Sequence, residues 1–166
     1  MLHKYLKNAL TYEECDEIYN AYIKVKKRQV GIYNLPKSIE YADKIKNQVI
    51  EFGEIVLADV YTRTYIVNES LLPHIDQEKY DVTISVNING NQDWYMHCAN
   101  DEYIKHTNDE QYRVNWNPYK NNFTSYATKR GDGIVCLGKK CVHWRNSLIV
   151  DKNETVTQTM FHFTFV

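Results

Sequence analysis

The chain has 166 residues and a formal net charge of −1, a length that suits one domain able to bury a core. Its 43% hydrophobic and 25% charged content is that of a soluble globular protein. The near-neutral charge gives no general pull toward anionic membranes or duplex nucleic acid, although a local basic groove can sit inside a neutral total. No run approaches the roughly 20 apolar residues of a membrane span, and the polar opening MLHKYLKNAL does not read as a signal peptide. The expected setting is therefore the cytoplasm, or the host cytoplasm if the chain is viral. Cys15, Cys98, Cys136 and Cys141 lack the CxxC spacing of zinc fingers and thioredoxin-like motifs, and reduced thiols are expected.

The first element is a helix. Thr11 is its N-cap, Glu14 completes a capping box, and Leu10 can staple against Cys15. Cys15, Ile18, Tyr19, Tyr22 and Ile23 recur at helical spacing, so the helix should run to about Lys27. The basic run Lys24 to Arg28 suits its C-terminal dipole and a solvated face better than a nucleic-acid site. Gly31 to Pro36 reads as a linker. A second helix is expected from Ser38 to Phe52, with Ile39, Ala42, Ile45, Val49 and Phe52 inward and Gly53 as its stop.

From Glu54 the period changes. Ile55 to Val67 is rich in β-branched and aromatic residues. Asp81 to Asn89 alternates, with Val82, Ile84, Val86 and Ile88 on one face and Thr83, Ser85, Asn87 and Asn89 on the other. The second face carries small polar groups that can line a cavity. Asn89-Gly90-Asn91 marks a turn, and Asp93 to Cys98 a short strand. Ala99 to Asn122 is a long polar loop, suited to substrate contact, to a lid, or to a plain surface excursion. Ser125 to Lys129, Gly133 to Leu137, His143 to Ile149 and Thr155 to Val166 read as strands, with a turn at Asp151 to Asn153. Two helices followed by about eight strands predict a mainly β, α+β domain: a sandwich or barrel supported by helices on one side, with residues 1–53 as the support and 54–166 as the core.

The chemistry concentrates at His74-Ile-Asp76. An imidazole and a carboxylate two residues apart point to the same side of an extended chain. A second strand-like run, from Gly131, leads to His143. Together His74, Asp76 and His143 would form a two-histidine, one-carboxylate facial triad, which binds iron(II) and leaves coordination positions open. Other marked residues read more simply. His162 alternates into the last strand, where a packed histidine is the plainer reading. His97 and His106 have no assigned role. Trp94, Trp116 and Trp144 suit core or rim packing, and Asp132 suits a turn beside Gly131 and Gly133.

The order of these features is specific: Tyr61-Thr-Arg-Thr-Tyr65, His74-Ile-Asp76, the alternating Val82 to Asn89, Gly131-Asp132, and finally His143-Trp144-Arg145. It resembles the iron(II)/2-oxoglutarate-dependent dioxygenases, in particular the small viral and bacterial members of the prolyl 4-hydroxylase-like branch. The resemblance covers most of the chain. It implies a double-stranded β-helix (jelly-roll, cupin-like) core, iron held by His74, Asp76 and His143, and 2-oxoglutarate and dioxygen as co-substrates, with ascorbate as an optional addition. It also implies hydroxylation of a protein side chain such as proline, or of a small molecule, with succinate and carbon dioxide as co-products. Tyr65 matches the tyrosine that contacts the co-substrate, and Asn87 falls where relatives carry another such contact.

One feature departs from the pattern. Family members place Arg or Lys about ten residues after the distal histidine, on the last strand, to hold the far carboxylate of 2-oxoglutarate. Here that region holds Thr155, Thr157, Gln158 and Thr159. Arg145, two residues after His143 and so on the same face, is the preferred substitute, ahead of Lys152 and then Arg63. Without such a cation the alternatives are a cupin-like metal enzyme that does not use 2-oxoglutarate, or a non-catalytic jelly-roll binding module.

Overall fold

The computed structural model describes residues 1–27, 30–90, 93–110, 114–149, 151 and 154–166. Arg28, Asn91, Lys152 and Asn153, which figure in the basic run, the two turns and the carboxylate anchor expected above, lie outside the described residues. The N-terminal helix α1 (Tyr12–Val25) starts as the sequence predicts. Glu14 N–H donates to Thr11 Oγ1 at 3.2 Å, and Thr11 N–H donates to Glu14 Oε2 at 2.7 Å, which satisfies two of the otherwise unpaired donors of the first turn. Its buried face carries Cys15, Ile18 and Tyr22.

The expected second helix is broken into α2 (Pro36–Ile39), α3 (Ala42–Lys46) and a single 3-10 turn at Ile50–Phe52. Ser38 is buried with its Oγ 3.2 Å from Thr62 Oγ1, while Ala42, Ile45 and Val49 all reach the same core. These four residues keep the spacing of one buried helical face across the breaks, whereas Ile39, expected inward, is exposed. The N-terminal part expected to be helix and linker also yields two strands, β1 (His3–Leu6) and β2 (Gly31–Tyr33).

The remaining strands are β3 (Ile55–Tyr65), β4 (Leu71–His74), β5 (Val82–Asn89), β6 (Met96–Ala99), β7 (Phe123–Tyr126), β8 (Gly133–Cys136), β9 (His143–Arg145) and β10 (Val156–Phe165). They form a major sheet in the order β1-β8-β5-β10-β3-β2 and a minor sheet in the order β4-β9-β6-β7. Adjacent strands are antiparallel throughout. The helices cover the outer face of the major sheet, where Ile18 and Tyr22 meet Val82, Ile84, Val86, Ile88, Phe161 and Phe163. Its inner face looks across at the minor sheet.

Gly131 ties the N-terminal segment to this frame. Its φ of +85° is one that L side chains rarely adopt, and a Cβ there would sit 2.5 Å from the Leu10 carbonyl oxygen. Leu10 N–H donates to Gly131 O at 3.0 Å. Asp132 is more than a turn residue, because it accepts from Asn8 N–H at 2.7 Å and from the Tyr5 hydroxyl.

The described part of the long loop packs Val114 and Tyr119 against Ala99, Val142 and Trp144 of the minor sheet. It covers that sheet and does not line the cavity between the sheets, although Tyr103, Lys105 and Asp109 border a neighbouring pocket with Ile75 and Asp76. No helix among the described residues is long and apolar enough to cross a membrane.

Candidate metal centre and its cavity

Between the sheets lies a cavity of about 180 Å³. Strand alternation supplies its wall: Tyr61, Arg63 and Tyr65 from β3, Thr83 and Ser85 from β5, and Gln158, Met160 and His162 from β10. The minor sheet adds His74 at the end of β4 and His143 and Arg145 on β9. His74 and His143 are register partners across the β4–β9 pair, so the pairing itself places two distant histidines side by side.

Their ligating atoms and a carboxylate oxygen of Asp76 all lie within 4.8 Å of one another. Asp76 Oδ1 is 3.5 Å from His143 Nε2 and 3.8 Å from His74 Nε2. Each imidazole is oriented from behind. His74 Nδ1 donates to Leu72 O at 2.7 Å and His143 Nδ1 to Cys141 O at 2.9 Å. That tautomer leaves both Nε2 lone pairs facing Asp76, the arrangement a metal-ligating histidine needs. Burial, reinforced by the neighbouring His143, pushes the His74 imidazole well below its ordinary value, which favours the neutral, ligating form. Burial raises the Asp76 carboxyl, but His143, His74 and the Thr83 hydrogen bond outweigh it and hold the group below its usual range.

Asp76 is fixed by residues that the sequence did not single out for the role. Thr83 Oγ1 donates to Asp76 Oδ2 at 2.5 Å. Asp76 N–H donates to Gly138 O at 2.9 Å, and a Cβ on Gly138 would lie 2.6 Å from Asp76 Oδ2. The alternation of β5 had marked Thr83 as facing a cavity. Nothing in Leu137-Gly138-Lys139 distinguishes Gly138 from an ordinary turn glycine.

Arg145 is buried in the cavity wall. One of its Nη groups donates to Trp94 O and the other to Gln158 Oε1 at 3.3 Å, its guanidinium stacks on Trp94 at 4.7 Å, and its Nε finds no acceptor. No carboxylate among the described residues pairs with it. Burial without an acidic partner lowers its pKa to about 10, so it remains a cation at neutral pH. Arg63 also reaches the cavity, but Glu69 accepts from it at 2.8 Å and neutralises it. Tyr65 lies under the Arg63 guanidinium at 4.6 Å and its ring meets Trp94 at 4.8 Å with the planes tilted by 60°.

Asn87 is placed differently from expectation. Its strand parity points it inward, yet its Nδ2 donates to Thr128 O at 2.9 Å and Gly90 O at 3.1 Å, which pins the turn after β5 and keeps the side chain off the cavity wall. His162, by contrast, does line the cavity. Its Nδ1 donates to Asp59 Oδ1 at 2.7 Å, Asp59 also accepts from Tyr80 and Lys79, and the His162 and Tyr80 rings stack at 4.0 Å.

No protein-family model matches the chain, and no curated protein does. Solved structures match it across nearly its whole length. A viral collagen prolyl hydroxylase from Paramecium Bursaria Chlorella virus-1, in its 2-oxoglutarate complex, has 16% identity over 100% of this chain and 97% of its own, with a TM-score of 0.66. HygX from Streptomyces hygroscopicus, with nickel and 2-oxoglutarate bound, has 10% identity over 99% of this chain and 82% of its own, at a TM-score of 0.69. SnoN, a non-heme α-ketoglutarate-dependent epimerase from nogalamycin biosynthesis, has 9% identity over 98% and 76%, at 0.77. The chain therefore has the double-stranded β-helix fold of the iron/2-oxoglutarate oxygenases.

Proposed function

We propose that the chain is a non-haem iron(II), 2-oxoglutarate-dependent dioxygenase that hydroxylates a protein side chain, such as a prolyl residue, or a small molecule. One observation carries the reading: a single cavity contains both a convergent two-histidine, one-carboxylate set and a buried guanidinium with no acidic partner among the described residues. The first suits iron(II), and the second needs an anion to offset the cost of its burial. The donor chemistry fits both groups. In the structures it resembles, HygX carries 2-oxoglutarate with nickel, and the viral enzyme is a collagen prolyl hydroxylase in complex with 2-oxoglutarate.

His74, Asp76 and His143 would hold the iron from one side, leaving the other open to the cavity. Arg145 would hold the far carboxylate of 2-oxoglutarate through its unpaired Nε and an Nη, with Gln158 and Trp94 fixing the guanidinium plane. In this role Gln158 occupies the last-strand region where relatives carry the cation, and it positions Arg145 in place of supplying charge. Tyr65 would flank the same carboxylate. When bound, iron and 2-oxoglutarate together activate dioxygen to oxidise a substrate C–H bond, giving succinate, carbon dioxide and the hydroxylated product. The protein's part is geometric: Thr83 and Gly138 fix Asp76, and the Leu72 and Cys141 carbonyls fix the imidazoles. At the cavity wall, Tyr33 and Tyr61 stack at 4.4 Å with Tyr33 largely exposed, an aromatic surface that suits a ring-bearing or peptide substrate.

The test is 2-oxoglutarate binding to anaerobic, iron(II)-loaded protein, read from the weak visible metal-to-ligand charge-transfer band of the chelate. The band is expected in wild type. Arg145→Gln should weaken 2-oxoglutarate binding about tenfold or more, since one charge-assisted hydrogen bond is worth ~1.5–3 kcal/mol, while iron affinity stays the same and Lys152→Ala binds as wild type. Iron uptake without the band would favour a cupin-like metal enzyme, and absence of iron binding would favour a binding module.

A further inference from the structure

Three of the four cysteines meet at one point. Cys98 comes from β6 in the minor sheet, Cys136 from β8 in the major sheet, and Cys141 from the loop that leads into β9. All are buried. Their sulfur atoms lie within 4.8 Å of one another, with Cys98 Sγ and Cys136 Sγ 3.5 Å apart. Met96 and Ile134 close the same cluster. The fourth cysteine, Cys15, is alone in the helix–sheet core and shows how a cysteine here behaves when it acts only as a small apolar residue.

We propose that Cys98, Cys136 and Cys141 form a second metal site, an all-sulfur cradle for a thiophilic d10 cation, either zinc(II) or copper(I), separate from the iron triad. The spacing supports this. Metal–thiolate bonds of about 2.3 Å put three sulfurs ~3.8–4.0 Å apart around a tetrahedral or trigonal ion. The Cys98–Cys136 pair at 3.5 Å lies just below that range and all three sulfurs lie within 4.8 Å of one another, so side-chain shifts of up to about one ångström would close the cradle. A disulfide accounts for it less well: it could join only two of the sulfurs, and the Cys98–Cys136 pair would have to close from 3.5 Å to a bond of about 2.05 Å.

Donor softness separates the two sites. The sulfur set contains no imidazole or carboxylate, and the triad contains no sulfur. Hard-to-borderline iron(II) and a soft d10 ion would therefore sort between them. The sites are joined by one hydrogen bond, from His143 Nδ1 to Cys141 O at 2.9 Å. An ion on Cys141 would fix the carbonyl that orients His143, and it would staple β6 of the minor sheet to β8 of the major sheet. Each thiol that ligates releases its proton to solvent.

The experiment uses reduced, iron(II)-loaded protein under anaerobic conditions, titrated in parallel with zinc(II) and with copper(I). One further ion per chain should bind in at least one arm. X-ray absorption at that metal should show sulfur scatterers at about 2.3 Å, and the thermal midpoint should rise. Cys136→Ala should lose this ion and keep iron, whereas His74→Ala should lose iron and keep this ion, so the two sites fail independently. The wild-type spectrum decides the matter even if Cys136→Ala does not fold. No uptake in either arm, or uptake with only nitrogen and oxygen scatterers, overturns the proposal and leaves the cluster as core packing. Whichever arm binds more tightly names the ion.

Discussion

The two faces of the major sheet are made by the same strands yet obey different rules. On β5, Val82, Ile84, Val86 and Ile88 face the helices and are fully buried among apolar neighbours. Between them, Thr83 and Ser85 face the cavity. β10 repeats the division, with Phe161 and Phe163 outward to the helices and Gln158, Met160 and His162 inward. The helix face is held by non-directional burial, so any single side chain there acts through area and volume. On the cavity face many buried polar groups have a named partner: Thr83 to Asp76, Gln158 to Arg145, His162 to Asp59. A change on one face should therefore register in stability, and a change on the other in ligand binding.

The sharpest break of that comparison is at the triad. His74→Ala and Asp76→Ala should each reduce iron(II) affinity by more than a hundredfold, because two remaining ligands do not make a facial site, while the thermal midpoint of the metal-free protein changes little. Metal content after equilibration with iron(II) is the measurement. Unchanged affinity in both variants would remove the triad from the account. On the opposite face, Phe161→Ala should cost about 3–5 kcal/mol in denaturant unfolding and leave iron stoichiometry at the wild-type value. If Phe161→Ala lost iron in a folded protein, the two faces would not be separable as described.

This division was legible in the sequence where it rests on period. The β5 alternation marked both faces, the Thr11–Glu14 capping box marked the helix start, and H-x-D on an extended segment with a later strand histidine marked the triad. What escaped depends on contacts between residues far apart in the chain. β1 and β2 are four and three residues long and exist only because sheet edges are there to pair with. The helix from Ser38 is interrupted although Ser38, Ala42, Ile45 and Val49 keep helical spacing toward the core, and periodicity carries no signal for such a break. Asn87 had the right parity for the cavity, but parity cannot say that Gly90 and Thr128 would hold its amide. The cysteine cluster left no motif at all, since the packing of one sheet on the other, and not spacing, brings Cys98 to Cys136.

Asp59 sharpens the comparison because it serves both roles: it is buried, and it backs the cavity-facing His162. Burial raises its carboxyl, but hydrogen bonds from His162, Tyr80 and Lys79 outweigh burial and lower the pKa to about 2. A depressed carboxyl contributes stability that is fully present above the ordinary carboxylate pKa of about 4 and is lost as pH falls toward about 2. Asp59→Asn should cost ~2–3 kcal/mol at neutral pH and flatten stability between about pH 4 and pH 2. Urea unfolding across that range would show it. An unaltered acid slope would mean that the Asp59 network does not carry the pH dependence.

The smallest expected effect tests whether the polar face acts through orientation. Thr83 does not approach the histidines as a ligand, and its hydroxyl reaches only the outer oxygen of Asp76. Thr83→Val keeps the β-branched shape that suits β5 but removes the donor to Asp76 Oδ2, so the strand should keep its β geometry. With Oδ2 released, Asp76 can rotate, and partners of this kind typically contribute ten- to a hundredfold in metal affinity. Because Gly138 still clamps the Asp76 backbone through Asp76 N–H, the loss should sit near the tenfold end, about 1.4 kcal/mol. Thr83→Ser, which restores the hydroxyl, should recover most of it. Iron titrations of the two variants side by side separate hydrogen bonding from shape: equal losses in both would place the effect in packing on the cavity face, and the contrast between the faces would then be one of degree.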